Sequence, residues 1–180
     1  MKFCPDCAQP VELRIPPGDN LPRAVCTVCG HVHYENPRIV VGCVPEWQGC
    51  ILLCRRAIEP RRGYWTAPAG FLEIGESLQN AAARESMEEA QARVEIGSLL
   101  TITNVLHAAQ VHVMFRARMF DGNFGAGAES LEVGLYREEQ IPWDLIAFPS
   151  IGFALRCYLA DRRAAREQLH CSDLNRPLTG

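Results

Sequence analysis

Glu85, Glu88 and Glu89 stand at positions i, i+3 and i+4 of a segment that carries no glycine or proline between Ser77 and Ala92. On an α-helix that spacing puts three carboxylates on one face, where like charges repel unless a cation sits among their oxygens. Hard oxygen donors of this kind suit Mg²⁺ or Mn²⁺. The same three residues could also form a plain acidic surface, with Arg84 and Glu88 as an ordinary i,i+4 pair. The preceding stretch, Trp65 to Phe71, tips the balance, because it is apolar and turn-rich and Gly70 lets backbone carbonyls approach a ligand closely. A strand, a glycine loop and a carboxylate-bearing helix in that order make a divalent-metal cradle for phosphates.

A second set of ligand-type residues lies near the start of the chain. Of nine cysteines, four form two Cys-x-x-Cys knuckles, Cys4 with Cys7 and Cys26 with Cys29, and eighteen residues separate the knuckles. That spacing is expected of a four-cysteine zinc ribbon. Four thiolates leave zinc no open position, so the ion is expected to stabilise a segment too short to bury its own core and to take no part in catalysis. His31 and His33 beside the second knuckle are expected as surface or linker residues. Cys43, Cys50 and Cys54 lack ligand spacing and are expected to behave as small apolar groups.

These groups need elements to hold them. The run Ala81-Ala82-Ala83 favours helix, and Ser77 after Gly75 is a cap, so the carboxylate segment is read as a helix from about Ser77. Ile39 to Val44 is a β-branched strand, and Cys50 to Arg56 pairs with it in a hairpin across the turn from Pro45 to Gly49. Further strands are expected over Val94–Ile96, Leu99–Leu106, Val111–Phe120 and Val133–Tyr136. Asp121 to Ala128 reads as a glycine-rich loop, Glu138 as the start of a short helix, and Ile151 to Gln168 as a final amphipathic helix. Strands alternating around two helices imply an α/β protein with a mixed sheet between helical layers.

With 180 residues, 48% hydrophobic, the chain can bury a full core in one domain plus a small appendage. The expected division is a ribbon over 1–34, a main domain over 35–170 and a loose tail over 171–180. A net charge of -3 gives no polyanion-binding footprint, so nucleic acid is not an expected partner. No apolar run reaches the length of a membrane span, and Met1-Lys2-Phe3-Cys4 leads into a cysteine knuckle instead of a signal core. A cytoplasmic location is expected, with no membrane partner.

In the stretch from Gly70 to Ala92 the chain resembles the Nudix hydrolases. Gly70, Glu76, Arg84, Glu85, Glu88 and Glu89 fall in register with the family box, while Ser86 stands where an aliphatic residue is usual and Gln91 where the closing glycine is usual. The resemblance implies an α/β/α Nudix sandwich and hydrolysis of the diphosphate in a nucleotide derivative. Glu85, Glu88 and Glu89, with the Gly70 backbone, are then the expected holders of Mg²⁺ or Mn²⁺, Arg84 orients a glutamate, and Glu76, counted with the substrate-binding residues, supports the loop or a water behind the metal. A general base is sought in a loop, at Glu129 or Glu132, of which Glu129 is preferred. Arg38 is a candidate phosphate contact, and Arg55, with Arg56, Arg61 and Arg62, a candidate for drawing in an anionic substrate.

Within the family the Ser-Gln-Pro-Trp-Trp signature of NADH pyrophosphatases is absent after Ala92, and no proline lies between Pro68 and Pro142 to serve as the usual ADP-ribose marker. The chain is most similar to FAD pyrophosphatases over Cys4–Cys29, Asn36–Cys43, Trp65–Ser77, Glu129–Glu132 and Ile141–Phe148, which implies cleavage of FAD to FMN and AMP. ADP-ribose, NADH or an NAD-capped RNA end are the alternatives, and a non-catalytic ligand sensor is the alternative of another class. A homodimer is expected from the family.

Overall fold

The computed structural model describes residues 1–175 and divides the chain between Asn36 and Pro37, two residues beyond the expected boundary. In the first unit, β1 (Val11–Arg14), β2 (Arg23–Cys26) and β3 (Val32–His33) form an antiparallel sheet in that order. Asp19 shapes the loop between the first two strands. Its carboxylate accepts from the N–H groups of Asn20 and Leu21 and pairs with Arg23 at 2.9 Å. Few side chains are buried in this unit, chiefly Cys4, Ala24, Val25, Cys26 and His33. So small an apolar core cannot stabilise a fold alone.

The second unit is built on β4 (Arg38–Trp47), β5 (Cys50–Arg56), β6 (Trp65–Thr66) and β7 (Ala69–Phe71), followed by α1 (Leu78–Ala90). Then come β8 (Val94–Val105), β9 (Gln110–Met119), β10 (Ser130–Tyr136), α2 (Pro149–Arg163) and β11 (His170–Leu174). The sheet runs β10-β5-β4-β9-β8-β11, with β6 added on β5 and β7 on β4. The pairs β4–β9 and β8–β11 are parallel and the others antiparallel, so the sheet is mixed, as expected.

Side-chain alternation along the strands supplies both helices with a floor. On one face Val41, Cys43, Leu52, Cys54, Val113, Phe115 and Ala117 pack against Ala81, Ala82 and Ala90 of α1. On the other, Val44, Ile51, Leu53, Leu100 and Met114 pack against Ile151, Ala154 and Leu155 of α2. The second unit is therefore an α/β/α sandwich. No helix among the described residues is long and apolar enough to cross a membrane.

Several expectations change: the strands expected over Val94–Ile96 and Leu99–Leu106 are the single β8, and three further differences bear on the chain's turns and end. The hairpin turn is tighter than Pro45–Gly49, since β4 runs to Trp47 and only Gln48 and Gly49 separate it from β5. The last helix ends at Arg163 and not at Gln168: Ala164 closes it and Ala165 turns the chain at φ 49°. The tail is not loose from Cys171, because His170–Leu174 pairs in parallel with Thr101–Val105. Asn104 donates to Asp173 at 2.7 Å, and His170 bonds the buried Asp161 at 3.0 Å, so side chains as well as backbone hold the strand. Residues 176–180 of the expected tail lie outside the described residues.

Candidate active site

Ser77 caps α1, its hydroxyl accepting from the Asn80 N–H at 3.2 Å, as the sequence suggested. The buried stripe of the helix is Ala81, Ala82, Glu85, Ser86, Glu89 and Ala90, so two of the three carboxylates lie on the side that faces the sheet. Alanines elsewhere in the stripe let the helix sit close. Gly70 allows the same closeness from the strand side, for a Cβ there would stand 2.4 Å from Glu85 Oε1. Glu85 and Glu89 are 7% and 6% exposed, and Glu88 lies on the open flank.

Arg84 ties this region together. Its Nε and Nη2 hold Glu76 at 2.9 and 3.0 Å, its Nη1 donates to Glu85 at 2.7 Å and to Glu88 at 3.0 Å, and its Nη2 reaches the Phe71 carbonyl at 3.1 Å. Glu76 is thereby held below the usual carboxylate range by Arg84, whose own pKa is raised. Glu76 does not line the cavity. Its carboxylate is taken up in fixing Arg84 and the loop, where it also accepts from the Glu73 N–H.

Glu89 is in the opposite condition. Burial first, and the Glu85 charge second, push it up to about 8, although the Ala69 N–H at 3.3 Å and Arg56 pull the other way. Burial also raises Glu85, against the pull of Arg84. Crowded, desolvated carboxylates of this kind are what a divalent cation relieves. The donors are all carboxylate oxygens, so Glu85, Glu88 and Glu89 fit Mg²⁺ or Mn²⁺.

The glycine-rich loop delivers Glu129. Gly125 and Gly127 donate to the Ala90 and Glu89 carbonyls at 2.8 and 3.1 Å, capping the open end of α1. A Cβ at Gly127 would stand 1.7 Å from the Glu88 carbonyl oxygen, so only glycine permits this docking. Two residues on, Glu129 is anchored by its carbonyl, which accepts from Ala57 N–H at 2.8 Å. Its charge acts on both Glu85 and Glu89.

Gly70, Glu85, Glu88, Glu89 and Glu129 line one cavity of about 1110 Å³, together with Arg56 and Arg61. Arg55 does not line it. Successive side chains point to opposite faces of a strand, so Arg56, in step with Leu52 and Cys54, turns to the α1 side, while Arg55 turns away to the Gly63 carbonyl and Glu132. Of the two arginines, Arg56 and not Arg55 is the one the structure brings to the cavity. Arg38 stacks on the Phe71 ring at 4.8 Å and is outside the cavity lining. Sequence reasoning passed over Gln110, His112, Phe148, Ser150 and Leu174 as site residues, and these also line the cavity.

In the first unit the Sγ atoms of Cys4, Cys7, Cys26 and Cys29 lie within 4.8 Å of one another. Four sulfurs at about 2.3 Å from a tetrahedral zinc stand about 3.8 Å apart. The separations of 3.8, 3.4 and 3.6 Å between Cys4 and Cys29, Cys7 and Cys26, and Cys7 and Cys29 match that spacing. The Val28 and Cys29 N–H groups lower Cys26 to about 6, while the Cys26 sulfur raises Cys7 to about 12 and also raises Cys29, so the crowded thiols act on one another. The set fits structural zinc. His31 is a neighbour of the site, bonded to Asp6 at 2.7 Å and stacked on His33.

Comparison with known proteins follows the same division. The Nudix N-terminal zinc-ribbon profile matches residues 2–35 and the NUDIX domain profile matches residues 36–146. A NUDIX hydrolase from Nitrosomonas europaea superposes with a TM-score of 0.94 at 49% identity, over 98% of this chain and 100% of that one. An ADP-ribose pyrophosphatase from Streptococcus suis superposes at 0.56 with 19% identity, over 77% of this chain and 99% of that one, a likeness of fold alone. The NAD-capped RNA hydrolase NudC of Salmonella heidelberg is 31% identical over 144 residues, 78% of this chain and 53% of that protein. Its counterpart from Erwinia tasmaniensis is 30% identical over 136 residues, 65% of this chain and 52% of that protein. The chain spans about half the length of these curated relatives. Cradle, ribbon and both matched regions agree, and the chain belongs to the Nudix family, as a member with an N-terminal zinc ribbon.

Proposed function

We propose that the protein hydrolyses the diphosphate bridge of a nucleotide derivative, with FAD as the substrate and FMN and AMP as products. The observation that carries the reading is the convergence of Glu85, Glu88, Glu89 and Glu129 on one side of a cavity large enough for a dinucleotide. Glu85, Glu88 and Glu89 would hold Mg²⁺ or Mn²⁺, which when bound supplies neutralisation of phosphate charge and a lowered pKa for the attacking water. Glu129 accepts the proton of that water. Arg84 holds Glu85 and Glu88 in place, and Arg56 offsets negative charge on the incoming phosphates. FAD is favoured by the motif resemblance over Trp65–Ser77 and Glu129–Glu132, and by an apolar wall suited to a ring system.

A second reading keeps the chemistry and takes NADH or an NAD-capped RNA end, supported by what the 30–31% identical relatives are named. AMP release from FAD, ADP-ribose and NADH by the wild type and Glu88→Gln, with Mg²⁺ and with EDTA, tests both. Fastest cleavage of FAD, abolished by EDTA and reduced at least about a hundredfold by the substitution, is expected. Faster cleavage of NADH moves the assignment to the second reading, and binding without any cleavage sinks the hydrolase.

A further inference from the structure

On β9, Val111, Val113, Phe115 and Ala117 belong to the α1 side. The alternate set, Gln110, His112, Met114 and Arg116, turns toward α2. Arg116 has a structural task, for it pairs with the buried Asp161 of α2 and holds the Gln168 carbonyl at 3.0 Å. Gln110 and His112 are claimed by neither the core nor the hydrolytic groups, yet both line the cavity.

Their geometry is specific. His112, 8% exposed, has Nδ1 2.9 Å from the Ser150 hydroxyl and Nε2 2.9 Å from Gln110 Oε1. A carbonyl oxygen only accepts, so Nε2 carries the ring proton and Nδ1 accepts from Ser150. Burial pushes His112 down to about 4, so the ring is neutral and keeps this one arrangement at working pH. Ser150 is fixed in turn on the first turn of α2, directly after Pro149. With its oxygen engaged, Gln110 is left with two Nε2 hydrogens that meet no acceptor among the described residues. The surrounding wall is apolar, formed by Val105, Phe148, Ile151 and Leu174.

Register gives the distance from the chemistry. β7, which carries Gly70, and β9 flank β4 on opposite sides, with Phe71 and His112 both opposite Val40. Two strand spacings amount to about 10 Å. Gln110 stands opposite Arg38, two residues further along β4, and so lies farther still from Gly70; on the pyrophosphatase reading that distance is left to the group the diphosphate carries.

We propose that Gln110, oriented through His112 and Ser150, is a specificity residue that donates a hydrogen bond to a carbonyl oxygen or ring nitrogen of the substrate's heteroaromatic group. The inference rests on the pyrophosphatase reading for where the substrate lies. An apolar wall with one fixed donor selects a planar ring presenting an acceptor, and rejects one that leaves the amide unpaired.

Steady-state hydrolysis of FAD and of ADP-ribose by the wild type, Gln110→Glu, Gln110→Leu and Ser150→Ala tests this. Glu keeps the size of the side chain and the acceptor for His112, but offers the substrate no donor. With Gln110→Glu, KM is expected to rise about tenfold to a hundredfold, with the loss falling on KM more than on kcat. Ser150→Ala is expected to move KM the same way by less. A rise for both substrates assigns the acceptor to adenine, which they share; a rise for FAD alone assigns it to the flavin ring. An unchanged KM for both in Gln110→Glu and Gln110→Leu, or a fall confined to kcat, overturns the proposal. If the wild type cleaves neither compound, the hydrolase reading fails, and calorimetric binding of FAD and ADP-ribose to wild type and Gln110→Glu still decides the role of Gln110.

Discussion

Arg84 makes four kinds of contact, to Glu76, Glu85, Glu88 and the Phe71 carbonyl, so one guanidinium sets the positions of two expected metal ligands and the loop before the helix. Glu89 lies beyond its reach and is left with burial and repulsion. In the metal-free protein Glu89 therefore keeps its proton up to about pH 8. Its raised pKa contributes stability that is present at low pH and lost as pH rises through about 8, and a cation must displace that proton to bind. Mn²⁺ affinity is expected to weaken by up to about tenfold per pH unit below 8 and to level off above it, as read by calorimetric titration from pH 6 to 9. The spacing of the three glutamates was readable in the sequence because helical periodicity is short-ranged. The difference between Arg55 and Arg56 was not, since it depends on which face of β5 meets α1.

At the scale of elements, the helix end shows how one departure from the family box is accommodated. Gln91 takes the left-handed conformation at φ 49° where glycine is usual, and its N–H still reaches the Met87 carbonyl. Its side chain donates to the Ala126 carbonyl at 3.2 Å, which helps offset the backbone cost. Ser86, the other departure, is fully buried with its hydroxyl unpartnered, and nothing in the structure explains the choice of a polar residue there. The loop that follows depends on Gly127 far more than on Gln91. Gly127→Ala drives a Cβ into the Glu88 carbonyl, so it is expected to cost about 2 kcal/mol or more and to lower kcat at least about tenfold by shifting Glu129. Thermal melting and turnover of this variant beside Gly125→Ala check it, because a Cβ at Gly125 meets only the movable Gln91 side chain.

For the whole molecule, two compact units were visible in the sequence through the cysteine knuckles, and the boundary fell within two residues of the break. The closing strand was not visible. His170–Leu174 carries no β-branched residue and is only half-buried, so its strand character comes from β8, more than sixty residues earlier in the chain. In the ribbon, with so few buried side chains, metal must supply the stability. One zinc per chain is expected by elemental analysis. Cys26→Ser is expected to lose it, together with the protection of the Val11–Arg14 and Arg23–Cys26 amides in hydrogen exchange.

The alternation along β9 also governs which changes in chain length the fold can absorb. A one-residue insertion between Val111 and Phe115 would reverse every side chain beyond it, sending phenylalanine toward Asp161 and arginine under α1. Both helices would lose their floor from a single added codon, whereas the same addition among residues 121–124, ahead of the docked glycines, only lengthens a surface loop. Over evolutionary time this strand is free to exchange residues of like kind at each position, while its length is locked from both sides.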